Sequence, residues 1–270
     1  MLNEDISARG MVLLGCGKMG GAMLEGWLDG GLSPQAVTVI DPKPSDWLSG
    51  TGVRLNEDLP ASPAVVIVAV KPQMVGDALP VLKGYGNGDT VFLSIAAGTT
   101  LATFENMLGA ETPIIRAMPN TPAAVGRGIT AIFGNAHVSE VALTMGEALL
   151  SGVGQTVRVA HEADMDAVTA VSGSGPAYVF HLIETMAAAG TAEGLPPDLA
   201  MQLAKATVAG AGALAEASED TPTQLRINVT SPAGTTAAAL EVLMDEENGF
   251  PALLGRAVKA AADRSRELGQ

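Results

Sequence analysis

Apolar residues gather in short, nearly unbroken runs along the first part of the chain. They are MVLLG (11–15), VTVID (37–41), AVVIVAV (64–70), TVFLSI (90–95), PIIRA (113–117), GITAIF (128–133) and QTVRV (155–159). Most do not alternate with polar residues, so the strands they predict are covered on both faces. Helical spacing fills intervals between them at 20–30, 100–109 and 139–151. Strand–helix alternation of this kind predicts an α/β fold with a doubly wound parallel sheet and right-handed crossovers. Past about residue 162 the strand-like runs stop. Residues 175–194, 197–218, 234–245 and 249–268 carry helical patterns, with Pro176 and Pro197 suited to first turns. The expected organisation is therefore a doubly wound domain over 1–161 and an all-α domain over 162–270.

The predicted helices of the second domain are rich in Ala and Gly and apolar around much of their circumference. Such helices need burial on several sides, which roughly 110 residues cannot supply alone. A second copy of the chain is the expected cover, giving a homodimer or larger homo-oligomer. Composition agrees with a packed protein, since 47% of the 270 residues are hydrophobic and 16% charged. A formal net charge of −14 argues against nucleic acid or an anionic membrane as partner, because phosphates need a basic face. No run is apolar for long enough to span a bilayer, and residues 1–10 lack the apolar core of a secretion signal. Cys16 is the single cysteine, which excludes an intrachain disulfide and suits a reducing, cytoplasmic setting. With three scattered His and one Cys, no metal site is expected.

The chemistry begins after the first predicted strand, in GCGKMG (15–20). Gly15, Gly17 and Gly20 form the G-x-G-x-x-G pattern between a strand and a helix. There the first glycine makes a tight turn, the second lets a pyrophosphate approach the backbone, and the third lets helix and strand pack. The positive end of the helix dipole then favours the phosphates. Asp41, closing the second predicted strand, suits a ribose 2′-hydroxyl and so NADH; Lys43 suits the 2′-phosphate of NADPH, and both readings stand. No serine elbow is present: in VSGSGP (171–176) Ser172 occupies the first glycine position, so Ser174 and Pro176 read as a helix start. A nicotinamide cofactor needs no protein nucleophile. What the protein must add is orientation, charge stabilisation and a proton.

A second concentration of polar groups lies at VTSPAGTTAAAL (229–240), inside the helical part. Thr230 or Ser231 can cap a helix, and Gly234, Thr235 and Thr236 expose amides at its N-terminus, which is a carboxylate-binding arrangement. Simple capping is the competing reading.

Together with AVKPQ (69–73), SIAAGTT (94–100), IIRAMPNTPAAVGRG (114–128), DAVTAVSGSGPAYVF (166–180) and LRINVTSPAGTTAAALEVL (225–243), these motifs resemble the pyrroline-5-carboxylate reductase family over nearly the whole chain after residue 10. The resemblance implies a Rossmann domain, a helical dimerisation domain, an active site at the dimer interface, and dimers that often assemble into decamers. It implies reduction of 1-pyrroline-5-carboxylate to L-proline by NADPH or NADH, the last step of proline biosynthesis. Carried over, Gly15, Cys16, Gly17, Lys18 and Met19 would hold the pyrophosphate, and Asn56 would lie near the adenosine ribose or its phosphate. Ala69, Val70, Lys71 and Pro72, with Ala96, Ala97 and Gly98, would line the nicotinamide half, and Asn228 would contact the cofactor. Ser231, Gly234, Thr235 and Thr236 would cradle the substrate carboxylate. The Thr236 hydroxyl would meet the ring nitrogen and Glu162 would help hold the substrate.

Two departures from the family pattern bear on this. Ala233 stands where the family has Gly, and would strain the loop if its φ is positive. Asp41 is unusual in a family that often prefers NADPH. Two other functions fit less well. A β-hydroxyacid dehydrogenase needs a catalytic lysine, but Lys205 lacks the G-x-x-x-K-x-x-N surroundings. A dinucleotide sensor without catalysis has no need of the hydroxyl-rich loop.

Overall fold

The computed structural model describes residues 2–269. In chain order the first elements are α1 (Leu2–Arg9), β1 (Met11–Leu14), α2 (Lys18–Asp29), β2 (Val37–Ile40), α3 (Asp46–Gly50) and β3 (Arg54–Leu55). There follow β4 (Val65–Val68), α4 (Val75–Ala78), β5 (Val91–Ser94), α5 (Leu101–Leu108), β6 (Ile114–Met118) and β7 (Gly128–Gly134). Next come α6 (Glu140–Ser151), β8 (Gly154–Arg158) and α7 (Asp164–Val168). The helical part holds α8 (Gly175–Ala192), α9 (Pro197–Ala217), α10 (Pro222–Asn228), α11 (Thr235–Leu243) and α12 (Phe250–Leu268).

The strands form one sheet in the order β3-β2-β1-β4-β5-β6-β7-β8. The seven predicted strands all appear within a residue or two of their expected limits, and pairing is parallel from β3 through β6. The expectation of a wholly parallel sheet is corrected at one seam: β7 runs antiparallel to β6, and β8 is parallel to β7. The cause is the link between β6 and β7. It spans only residues 119–127 and holds a single 3-10 turn over Thr121–Val125, too short for the dozen or so residues of a parallel crossover. The two-residue β3 and the polar α1 were not predicted.

Side-chain alternation divides the sheet's apolar residues between two cores. Met11, Leu13, Val39, Val65, Ile67, Leu93 and Ile115 face Met23 and Trp27 of α2 and Leu149 of α6. Their neighbours Val12, Leu14, Val66, Val68, Phe92 and Ile114 face Leu79, Leu82, Phe104 and Leu108. Each such side chain, fully buried, contributes about 1.5–3 kcal/mol. The buried Trp27 indole N–H is satisfied by the Leu149 carbonyl at 2.7 Å, which ties α2 to the end of α6.

By its contacts the chain divides into two compact units. One holds the sheet and comprises residues 1–173 with 262–270; the other is Ser174–Ala261. Residues 162–173, expected with the helices, thus pack with the sheet, as does the end of α12, where Ser265 Oγ donates to Asp166 Oδ1 at 2.6 Å. In the helical unit α8 starts at Gly175 with Pro176 in its first turn, as the pattern suggested. Its core centres on Ala187, Ala200 and Ala204, with Ile183 and Met201 packed against them. Ala at 200 and 204 lets α8 and α9 approach closely, but so small a core leaves Phe180, Leu203, Leu214 and Leu253 about half exposed. No helix among the described residues is long and apolar enough to cross a membrane.

Candidate active site

In an open doubly wound sheet, ligands bind beyond the strand C-termini where the strand order reverses. Here that switch point is the β1/β4 junction, because β1 lies between β2 on one side and β4 on the other. Gly15 to Gly17 form the loop after β1 and Lys18 to Gly20 the first turn of α2, while Ala69 to Lys71 follow β4 and Pro72 opens a 3-10 turn, so the fold brings both predicted segments to one edge.

Each glycine of the first loop has its own physical reason. Gly15 has φ +89°, and a Cβ there would lie 2.8 Å from Val70 Cγ1. A Cβ on Gly20 would lie 2.5 Å from the Gly15 carbonyl oxygen, so Gly20 lets α2 close onto the turn. Gly17 differs. Its φ is −72°, open to any residue, and a Cβ would meet nothing within 4 Å. Nothing in the chain itself demands glycine there. The residue opens space at the N-terminus of α2, where no side chain caps the helix and a phosphate could approach the bare amides. The loop therefore fits a dinucleotide pyrophosphate. Lys18 is exposed beside it, and Met19 packs partly into the core.

Asp41 lies at the end of β2, but its carboxylate is already engaged. Oδ2 accepts from the Cys16 amide and Oδ1 from the Lys43 amide, each at 2.8 Å. Asn56, at φ +52°, brackets the Asp41 backbone: its Oδ1 accepts from the Asp41 amide at 3.0 Å and its Nδ2 donates to the Asp41 carbonyl at 2.8 Å. Asp41 and Asn56 thus fix the glycine loop against the ends of β2 and β3. Burial, reinforced by the Asp41 charge, pushes the Cys16 thiol up to about 11, so Cys16 is neutral packing rather than a nucleophile. Lys43 and Lys71 are both exposed. Ala96 is buried while Ala97 is exposed, and Gly98 turns the chain at φ +77° ahead of α5.

Glu162 lies in the sheet-bearing unit, and its surroundings are specific. Its Oε1 accepts from the backbone amide of Leu101, the first residue of α5, and from Arg116 Nη1, both at 2.8 Å. Arg116 was not assigned a role from sequence. The signal was present nonetheless, since an Arg inside the strand PIIRA, apolar on both faces, must find a charged partner.

In the helical unit the 229–240 segment joins α10 to α11. Thr230 Oγ1 donates to the Arg226 carbonyl at 2.6 Å and so closes α10. The expected capping of α11 by Thr230 or Ser231 does not form: the residue at the cap position is Gly234, and no side chain caps the helix. A Cβ on Gly234 would run into Ser231 Oγ. Thr235 is exposed and Thr236 half-buried in the first turn of α11. Ala233 adopts φ +55°, the left-handed conformation that a glycine would take without strain. Asn228 accepts from Gln224 at 2.7 Å and donates to Asp220 at 3.2 Å. A cavity of about 200 Å³ elsewhere in the sheet-bearing unit, lined by Ile6, Trp27, Leu149 and Gly152 among others, contains no titratable side chain. Among the described residues no cluster of His, Cys, Asp or Glu could hold a metal ion.

Residues 11–98 match the family model described as NADP oxidoreductase coenzyme F420-dependent, and 162–268 match the one described as pyrroline-5-carboxylate reductase dimerisation. With a glycine loop shaped for a pyrophosphate at the switch point, the first of these places the chain among the dinucleotide-dependent oxidoreductases. The relatives narrow this. A pyrroline-5-carboxylate reductase of Pseudomonas aeruginosa is 37% identical over 266 residues, 96% of this chain and 97% of that protein. The solved pyrroline-5-carboxylate reductase of Coxiella burnetii superposes with a TM-score of 0.90 at 32% identity, over 97% of this chain and 99% of that one. That of Plasmodium falciparum, solved with NADP bound, superposes with a TM-score of 0.81 at 29% identity, over 97% and 98% of the two chains. The chain belongs to the pyrroline-5-carboxylate reductase family.

Proposed function

We propose that this protein reduces 1-pyrroline-5-carboxylate to L-proline at the expense of NADPH or NADH, closing proline biosynthesis. The observation that carries the reading, beside family membership, is the start of α11: a helix N-terminus with no side-chain cap, preceded by Ser231 and bearing Thr235 and Thr236. Bare amides there suit the substrate carboxylate, which is anionic in a protein of net charge −14 and so depends on local donors. Ser231, Gly234 and Thr235 cradle that carboxylate. Thr236 donates its hydroxyl to the ring nitrogen of the neutral imine, which orients the ring and relays to the nitrogen a proton taken up from solvent, while the dinucleotide's hydride goes to the carbon. An iminium carbon accepts hydride readily, so no strong acid is required.

Gly15 to Gly20 hold the pyrophosphate, Asp41, Lys43 and Asn56 face the adenosine ribose, and Ala69 to Pro72 with Ala96 to Gly98 line the nicotinamide half. Asn228 adds a cofactor contact. The dinucleotide, when bound, supplies the hydride. Two copies associate through the helical unit, and dimers assemble further, up to a decamer. A single cysteine suits the cytoplasm as the setting.

The test is the initial rate of NADPH and NADH oxidation with 1-pyrroline-5-carboxylate, for the wild type and two variants. Thr236→Ala should lower kcat by about tenfold to a hundredfold and leave dinucleotide affinity unchanged. Gly17→Val should abolish dinucleotide binding by filling the space at the α2 N-terminus. A wild type that binds the dinucleotide but turns over no pyrroline carboxylate would end the reading.

A further inference from the structure

We propose that Glu162 and Arg116 are positioning residues for the loop between β5 and α5, residues 95–100, rather than part of the substrate cradle. The inference rests on the reading above, in which Ala96, Ala97 and Gly98 of this loop line the nicotinamide half.

Arg116 enters from β6, directly beside β5, where it is in register with Ser94, the last residue of β5 before the loop. Its side chain is only 9% exposed, so its charge cannot be left to water. Glu162 answers it with one oxygen, and the same oxygen takes the Leu101 amide. That amide is among the unpaired donors of the first turn of α5, which has no acidic residue of its own. Thr100 accepts from the Thr103 amide, so Glu162 supplies a second cap and the negative charge that the helix start favours. One carboxylate oxygen thus ties the downstream end of the loop to β6, the strand paired with β5 at the residue where the loop leaves it. Charge-assisted bonds of this kind are about twice as strong as neutral ones.

The loop is also backed at its centre. A Cβ on Gly98 would lie 3.6 Å from Leu268 Cβ, and one on Gly269 would lie 3.2 Å from the Gly98 carbonyl oxygen. The last turn of α12 is held there by the Ser265–Asp166 bond, and Asp166 lies four residues beyond Glu162. Residues 162–166 therefore serve this one loop twice, directly through Glu162 and through Ser265 and the last turn of α12. A hydride is transferred efficiently only over a short, aligned path, so a loop displaced by about 1 Å can cost a hundredfold in rate without touching the substrate.

The experiment compares Glu162→Ala and Glu162→Gln in the full chain. Hydrogen exchange at the Leu101 amide is followed in the cofactor-free protein, dinucleotide affinity by fluorescence titration, and kcat and KM by initial rates. Glu162→Ala should expose the Leu101 amide, weaken dinucleotide binding by about fivefold and lower kcat at least tenfold, with KM for the pyrroline carboxylate within about twofold. Glu162→Gln keeps an acceptor oxygen for both donors but loses the charge that answers Arg116, and should restore Leu101 protection and part of kcat. A tenfold rise in substrate KM in both variants, with Leu101 protection and dinucleotide affinity unchanged, would overturn the proposal and return Glu162 to the substrate. A wild type that binds dinucleotide and turns over while Glu162→Ala matches it in every readout would sink this inference alone. A wild type without dinucleotide binding would sink the underlying reading first. Should Glu162→Ala not fold, Glu162→Gln decides: loss of kcat with the Leu101 amide still protected contradicts a purely positioning role.

Discussion

Ala233 holds a left-handed backbone at φ +55°, two residues ahead of α11. That conformation costs a residue with a Cβ about 1–2 kcal/mol. Glycine removes the cost but adds about 0.4–1 kcal/mol of unfolded-state entropy. Ala233→Gly should therefore stabilise by roughly 0.5 kcal/mol and raise Tm by about 1–2 °C in calorimetry. Ala233→Val, branched at Cβ, should destabilise and raise KM for the substrate, because the strained turn presents Gly234 and Thr235. A Tm lowered by the glycine would mean that the loop is not strained. Cys16 permits a second test at this scale. With its thiol pushed up to about 11 by burial and by Asp41, the thiolate is scarce at pH 8. Iodoacetamide should react roughly a hundredfold slower than with a free cysteine of pKa ~8.5, and the rate should climb as pH rises toward 11. Fast labelling at pH 8 would contradict that environment. At this scale the sequence told some things and withheld others. The reasons for Gly15 and Gly20 follow from one local turn and were legible. The sign of φ at Ala233 was not, because alanine occurs on either side. The pairing of Glu162 with Arg116 was not either, since 46 residues separate partners that only the sheet brings together.

Between residues and molecule stand the ends of β2 and β3, where Asp41 and Asn56 lock the glycine loop. A carboxylate held at that edge opposes a 2′-phosphate, and at an effective dielectric near 20 or above the repulsion is worth about 1–2 kcal/mol. Asp41→Asn removes the charge and keeps one acceptor oxygen for the Cys16 or Lys43 amide. The ratio of kcat/KM for NADPH over NADH should rise about tenfold. An unchanged ratio would mean that Asp41 acts only on the loop and that the ribose is read elsewhere. Strands with apolar runs were legible because both faces of a parallel sheet must be covered; β1, β4 and β5 show it with no alternation, while β2 carries one polar residue, the buried Thr38. The pair β6 and β7 reads the same way by composition, yet runs antiparallel. Direction is decided by the nine-residue link 119–127, which is too short for a parallel crossover. β3 is two residues long and half-buried, too short to leave a periodicity at all. For α11 the hydroxyl-rich loop was read correctly as a helix start, but the choice between capping and bare amides depended on where Ser231 points.

For the molecule as a whole, the helical unit poses a problem in surface chemistry. Phe180, Leu203, Leu214, Val242 and Leu253 are each between 47% and 71% exposed in one copy, while its buried core is built from alanines. The match of 162–268 to a dimerisation family makes a second copy the natural cover. Each copy carries a formal charge of −14, so association sets apolar burial against long-range repulsion. Two consequences can be measured by light scattering and sedimentation. Leu203→Glu, an acidic side chain on α9 outside every site proposed above, should weaken self-association at least a hundredfold, since a buried unpaired charge costs several kcal/mol. Activity falling in step with the dimer fraction is the outcome expected of a site completed by a second copy; full activity in the monomer would show that one copy suffices. Raising salt from about 20 to about 300 mM shortens the screening length from roughly 20 Å to roughly 6 Å and should tighten the wild-type dimer. An interface held mainly by ion pairs would respond in the opposite direction, and a Leu203→Glu variant that still dimerises would move the contact to another face of the helical unit.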